Sequence, residues 1–293
     1  EELLKLNGTA IHPKEDQPVL AAAFHDLATN GRSLYDHLVL RKDGSVINAE
    51  VAATVVNYQG KMFVMAIFRD TTARKRAEEE RLAQAKVQRD TLVREVHHRI
   101  KNNLQGVMGL LRQHSTRNPE LRRPLESAIS QVNSIAVVHG LYGQHRSERV
   151  VLCEMVSAIC QSTSGLMGKT IEPHVTVAVT SPVRVSNEEA VPLALILNEL
   201  IFNALKHQAE GTEPIQVYVQ DEEGGARVRV DTPGAKLPPG FDLATGQGLG
   251  TGLKLVKFLI PSTGCQLRMN DQAGHVVAEL ELSPPVVMLS PRS

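Results

Sequence analysis

The chain has 293 residues, with 32 Lys+Arg balanced by 32 Asp+Glu. That balance gives no bulk reason to expect nucleic acid or an anionic membrane as a partner. Hydrophobic residues at 42% and charged residues at 22% are ordinary for soluble globular chains, and the length leaves room for two or three domains. The longest apolar run, residues 191–205, is interrupted by Asn198, Glu199 and Asn203, so no membrane-spanning helix is expected. Cys153, Cys160 and Cys265 show no metal-ligand spacing and read as small buried hydrophobes in a reducing cytoplasm. No signal peptide is visible, and the opening EELLKL without Met reads as a fragment.

Along the chain, residues 34–69 alternate β-branched and polar positions between a Lys42–Gly44 turn and a Tyr-Gln-Gly turn, which predicts an antiparallel meander. The apolar residues around Phe24 suit either a ligand pocket or a core, and a core is expected. Asp70, Thr71 and Thr72 are N-cap types, and the charged stretch behind them runs without Gly or Pro into Arg94–Gln105. One long helix from about Thr72 to about Gln113 is predicted. After HSTRNPE a second helix is predicted from about Leu121 to about Val138, with Leu125, Ile129, Val132 and Ile135 on one stripe. Such a hairpin cannot bury its stripes alone, so pairing with a second copy as a four-helix bundle is expected. From about Arg149 the pattern becomes a mixed α/β sandwich of about 140 residues. It comprises a helix, a strand, the helix Glu188–His207, a hairpin, a Gly/Pro-rich loop, a helix near Leu253–Ile260 and two strands. The tail SPPVVMLSPRS reads as disordered.

Two constellations carry chemistry. The first is REVHHRIKNNLQ, residues Arg94–Gln105. At about 100° per residue, Leu92, Val93, Val96, Ile100, Leu104, Val107 and Leu111 share one stripe. His97 flanks that stripe and is expected to brace the helix. His98 points away from it, on the face of Arg94, Asn102 and Gln105. An exposed imidazole is most often an ordinary surface residue, but it is also a competent nucleophile near neutral pH. The second is VPLALILNELIFNALKHQ, in which Glu199, Asn203, Lys206 and His207 fall at i, i+4, i+7 and i+8 on one helix face. It offers a carboxylate, an amide oxygen able to hold Mg²⁺, and two potential cations. The bland alternative is an amphipathic helix with a polar outside. Downstream, GQGLGTGLKLVK places Gly248, Gly250 and Gly252 at the mouth of a helix, where free N–H groups suit phosphate oxygens.

In this order the motifs resemble a bacterial sensor histidine kinase of the HisKA_2 type. REVHHRIKNNLQ is similar to its H-box, NELIFNALKH to the N-box of the GHKL ATPase fold, and GQGLGTGL to its G2 box. RKDGSVINAEV…FRDTTARKRAEEE resembles the second half of a PAS domain and its exit helix. The related HWE kinases carry a defining Trp, which this sequence lacks. The resemblance implies an α+β multidomain fold: a partial PAS domain over residues 1–71, a signalling helix and phosphoacceptor hairpin over 72–145, an ATP-binding α/β sandwich over 146–284 and a disordered tail over 285–293. It implies a cytoplasmic, homodimeric protein-histidine kinase with ATP and Mg²⁺ as cofactors. His98 takes the γ-phosphoryl group and passes it to an aspartate of a separate response regulator. Asn203 holds Mg²⁺, and Lys206 and His207 touch phosphates. Many relatives carry an acidic residue directly after the phosphoacceptor. Here that position is Arg99, so the alternatives are Glu199 or Glu95 as the base, or a transfer that needs no strong base. VDTPGAKLPPGFD departs from the family's Asp-x-Gly-x-Gly box: Thr232 takes the Asp position, Asp231 lies one residue early, Gly234 keeps the first glycine and Lys236 replaces the second; by the resemblance Asp231, Thr232 and Gly234 are expected to contact ATP. A hydroxyl accepts a hydrogen bond more weakly than a carboxylate, so a signalling scaffold with a degenerate nucleotide site is the alternative. A free-standing GHKL ATPase or anti-sigma-type kinase is a third reading, disfavoured because neither needs the hairpin histidine.

Overall fold

A computed structural model of the chain describes residues 8–144, 149–176 and 182–288. They form two compact units, Glu1–Arg89 and Asp90–Ser293.

In the first unit, α1 (Gln17–Asn30) precedes the antiparallel meander β1 (Arg32–Leu40), β2 (Val46–Tyr58) and β3 (Lys61–Asp70). α1 is not among the elements expected from the sequence, although Pro18 in the first turn and Gly31 just past the end bracket it. Gly31 closes the helix with φ of 70°, a conformation glycine adopts without steric cost. The expected turns are present. Gln59 and Gly60 both have positive φ, as a two-residue hairpin with the right-handed strand twist requires. Asp16 is buried and ties α1 to β1. Its Oδ2 lies 3.0 Å from His12 Nδ1 and 2.8 Å from His37 Nδ1, and its Oδ1 accepts Leu38 N–H. These three side chains stand close enough together to surround a metal ion, but the carboxylate already accepts three hydrogen bonds and the group serves as a tie. Phe24 itself is 48% exposed, so the core expected among the apolar residues around it forms without Phe24. Ala23 and Leu27 face inward instead.

Helix α2 (Thr72–Arg117) is continuous and ends four residues later than expected. In the second unit it is followed by α3 (Arg122–Gln144), which runs past the predicted end at Val138. The extra turns bring His139 and Tyr142 onto the helix, where both meet His97. The hairpin–sandwich boundary expected at residue 145 lies outside the described residues. Then come α4 (Leu152–Met167), β4 (Ile171–Thr176), β5 (Arg184–Val185), α5 (Ala190–His207), β6 (Ile215–Glu222), β7 (Gly225–Pro233), α6 (Thr251–Leu259), β8 (Cys265–Gln272), β9 (His275–Leu282) and β10 (Val287–Met288). The main sheet has the order β4-β6-β7-β9-β8, with β4 and β6 parallel and the other pairs antiparallel. One face of it buries Val217, Val219, Val228, Val230 and Leu280 together with Leu193, Leu197 and Ile201 of α5 and Met155 and Ile159 of α4. The arrangement is an α/β sandwich, and with the hairpin and the first unit the chain has an α+β multidomain fold.

The tail corrects one expectation. Val286 and Val287 are fully buried, and Val287 pairs with Val185 across β10 and β5. Two β-branched side chains complete the core below α4, so disorder does not begin at residue 285. Residues 289–293 lie outside the described residues.

Candidate active site

Helix α2 positions the histidine pair. His97 is half-buried: its Nδ1 lies 2.9 Å from His139 Nδ1, and its ring stacks on Tyr142 at 4.8 Å between centroids. One Nδ1 must donate and the other accept, which fixes complementary tautomers. Burial lowers the pKa of His97; burial and then the charge of His97 lower that of His139. Burial raises that of Tyr142. His98 is exposed on the opposite side, with Asn102 Nδ2 one turn away at 3.4 Å. Arg99, next to it, bonds Glu95 at 2.7 Å. That bond, then the charge of Arg99, holds the Glu95 carboxyl below the usual carboxylate range, so Glu95 is a poor base.

Helix α5 positions the second constellation. Eleven of its 18 residues are buried, including Asn198 and Glu199. Beside it opens a cavity of about 1010 Å³. Its lining brings together Glu199, Asn203, Lys206, His207, Thr232, Gly248, Gly250 and Gly252 of the sequence-predicted set. Burial, then the neighbouring Lys206 charge, lowers the His207 pKa, so its imidazole is neutral at pH 7. Glu199 Oε1 accepts a 2.7 Å hydrogen bond from Gln131 Nε2 of α3. Glu199 Oε2 lies against Gly252 in the first turn of α6; a Cβ at Gly252 would collide with that oxygen and come within 3.5 Å of Asn203 Nδ2. Gly250, the N-cap of α6, has open space where a side chain would stand.

Two predicted residues fall elsewhere. β7 alternates strictly: Val228, Val230 and Thr232 are buried towards the helices, while Arg227, Arg229 and Asp231 face the other way. Asp231 therefore pairs with Arg229 at 3.2 Å and His275 at 2.9 Å and does not line the cavity. The pleat that brings Thr232 in turns Asp231 out. Gly234 sits in the turn after β7 with φ of 71°, where a Cβ would meet Ala209 and Thr212 at 2.8 Å, and it too is outside the lining. Its role is backbone geometry and close packing.

Other residues of the site carry no motif in the expected set. Asp242 organises the glycine-rich loop: its Oδ1 accepts N–H from Ala244 at 2.8 Å and Thr245 at 3.3 Å, and its pKa is lowered chiefly by the Thr245 hydrogen bonds. An Asp two residues before such a turn is a readable signal. Gln131, Arg123 and Ser127 of α3 also line the cavity. No local pattern marks them, because they reach it only through packing of α3 on α5. Ser130 Oγ donates to Asn198 Oδ1 at 2.9 Å in the same interface.

The donor set fits a magnesium-bound nucleotide triphosphate: an amide and a carboxylate for a hard cation, a lysine, and a glycine-lined helix N-terminus for phosphates. The HisKA_2 histidine kinase family model matches residues 95–167, the stretch that holds His98, the hairpin and α4. The chain is similar to the sensor histidine kinase PdtaS of Mycobacterium tuberculosis H37Rv, 32% identical over 213 residues, covering 66% of this chain and 38% of that protein. PdtaS of Mycolicibacterium smegmatis is 30% identical over 208 residues with the same coverage. The chain thus spans about 38% of the length of these curated relatives. Among solved structures, the histidine kinase domain of the blue-light activated kinase of Erythrobacter litoralis EL346 has a TM-score of 0.48 at 19% identity, covering 69% of this chain and 94% of that one. Residues 95–167 thus match the HisKA_2 histidine kinase family, and over a longer stretch the chain is similar to sensor histidine kinases.

Proposed function

We propose that the chain autophosphorylates His98 from Mg·ATP and hands the phosphoryl group to an aspartate of a response regulator in the cytoplasm. The observation that carries this reading is the pairing of an exposed His98, anchored by its buried neighbour, with a cavity holding Glu199, Asn203, Lys206 and His207 beside a glycine-lined helix N-terminus. Asn203 would ligate Mg²⁺, which supplies charge neutralisation on the phosphates. Lys206 and the neutral His207 would contact phosphate oxygens, and backbone N–H groups at Gly250 and Gly252 would meet the rest. Asp231 and Gly234 are not proposed as ligands. A neutral His98 ring nitrogen attacks the γ-phosphorus, the bond to the β-bridging oxygen breaks, ADP leaves, and the imidazole proton passes to Glu199. The domain assignment proposed is a PAS fragment before Thr72, a phosphoacceptor hairpin, and an ATP-binding sandwich. A homodimer is proposed because Leu92, Val96, Val107 and Leu110 of α2 are 45–61% exposed in one chain, an apolar face that a second hairpin covers. No helix among the described residues is long and apolar enough to cross a membrane.

Incubation with γ-labelled ATP and magnesium tests the reading. Acid-labile label is expected on wild type and on His97→Gln, and none on His98→Gln. Label that persists in His98→Gln overturns the assignment. One observation favours the scaffold reading: Thr232 presents a hydroxyl to the cavity where the family carries a carboxylate. A nucleotide titration separates the two readings: the kinase binds Mg·ATP, and Thr232→Val weakens binding by roughly three- to tenfold, the effect of losing about one hydrogen bond. No measurable Mg·ATP binding by wild type favours the scaffold.

A further inference from the structure

His98 does not face the nucleotide cavity of its own chain. No residue of α2 lines that cavity, and its α3 wall runs from Arg123 only as far as Gln131. The neighbour of His98, His97, packs on His139, more than two turns further along α3, about 12 Å of helix rise. The α3–α5 interface that fixes this offset has adjacent polar pairs. Ser130 Oγ donates to Asn198 Oδ1 at 2.9 Å, with both residues 2% exposed, and Gln131 Nε2 donates to Glu199 Oε1 at 2.7 Å. Thr163 Oγ1 also approaches Asn198 Oδ1, at 3.4 Å. Glu199, the proposed base, therefore has Oε1 held by the Gln131 amide, while its Oε2 stands beside Gly252.

We propose that Gln131, seconded by Ser130, is a latch: its side-chain amide holds Glu199 and α5 docked on the hairpin in a resting state, and phosphoryl transfer to His98 requires this contact to open. The inference rests on the kinase reading above. Two physical features support it. Two neighbouring polar pairs, Ser130–Asn198 buried and Gln131–Glu199 part-buried, favour one register between the packed helices, because a slip breaks both bonds at once. The latch also couples the two halves of the reaction directly, since one partner is on the phosphoacceptor hairpin and the other is the group that must take the His98 proton. A signal that slides or rotates α3 breaks a short hydrogen bond to a charged group and frees the base in the same movement.

The test uses the full chain. Gln131→Leu removes the donor at nearly constant size, and Gln131→Glu sets a second carboxylate against Glu199. The initial rate of label transfer from γ-labelled ATP to His98 is expected to rise roughly three- to tenfold in both variants, the range set by one charge-assisted hydrogen bond. In Ser130→Ala, whose side chain does not line the cavity, KM for ATP should stay within about twofold, because a merely structural lesion would weaken nucleotide binding as well. Amide hydrogen exchange along α5 and residues 123–134 should quicken in both. Ser130→Ala, a smaller truncation, is expected to show the same direction at lower amplitude. A labelling rate that is unchanged or falls, with label still on His98, overturns the latch and leaves the kinase reading standing. Unchanged exchange in all three variants also overturns it. No label at His98 in wild type or any variant overturns the kinase reading, and the latch with it.

Discussion

The two helices that carry the chemistry are built by opposite rules. Between Asp90 and Arg117, α2 buries only Met108 and leaves Leu92, Val96, Val107 and Leu110 exposed. α5 buries eleven of 18 residues, and its flanking layers are the main sheet on one side and α3 on another. The polar groups of α5 are therefore positioned by packing on several sides, and a carboxylate can be held to one orientation. The polar face of α2 is open to whatever arrives. Under the proposed function, the phosphoacceptor on α2 would be reached by two different partners, an ATP-bearing domain and a response regulator, whereas the nucleotide ligands on α5 would have to stay where they are. Exposure suits the first task and rigidity the second.

That contrast breaks most visibly in the core. Leu197→Ala removes a fully buried side chain of α5 and is expected to cost about 3 kcal/mol, read as an earlier denaturant midpoint of the second unit with loss of nucleotide binding. Val96→Asp on α2 should leave that midpoint nearly unchanged, since the residue is 54% exposed. It should instead weaken self-association at least tenfold in sedimentation equilibrium, because a charge enters the proposed dimer seam. Gly252→Ala sharpens the comparison from the α5 side: the methyl displaces the Glu199 carboxylate, and a roughly tenfold loss of turnover is expected, consistent with about 1.4 kcal/mol. If Gly252→Ala is silent, the contact between α5 and the glycine-rich loop is not what orients Glu199.

The smallest effect is a pH dependence at the junction of the hairpin. His97 and His139 have pKa values lowered by burial from the ordinary 6.5. Below 6.5 the unfolded chain binds protons that the folded chain refuses, so stability falls with pH through the interval from 6.5 down to the folded-state values. The melting temperature of wild type should therefore drop between pH 7.5 and 5.5. In His139→Phe the drop should be smaller, because one depressed imidazole is gone and Phe still packs on His97. An equal drop in both proteins removes the pair from the account of acid sensitivity.

Much of this was readable from residue order. The wheel through Val96, Ile100 and Leu104 separates His98 from His97, and the structure places them as expected, one exposed and one against His139 and Tyr142. Turn chemistry at Gln59–Gly60 and the glycine pattern at residues 248–252 carried equally well. The failures have a common cause. Phe24 reads as core because it is apolar, but a hydrophobic side chain buries only where a partner layer exists. The tail reads as disordered for its Ser and Pro content, yet Val286 and Val287 have a core waiting for them. Asp231 reads as a ligand because sequence proximity cannot tell which side of a pleat a residue takes when a motif is shifted by one.

The sequence by itself determined the local elements, the identity of the exposed histidine and the chemical character of α5, because helix periodicity, strand alternation and turn preferences act over a few residues. Only the tertiary structure decided that Thr232 rather than Asp231 faces the cavity, that Glu199 rests against Gly252, and that Gln131 of the hairpin holds the same carboxylate. Gln131 and Glu199 meet through the packing of α3 on α5. That packing is set by the shapes of many side chains at once, and no short stretch of the chain encodes it.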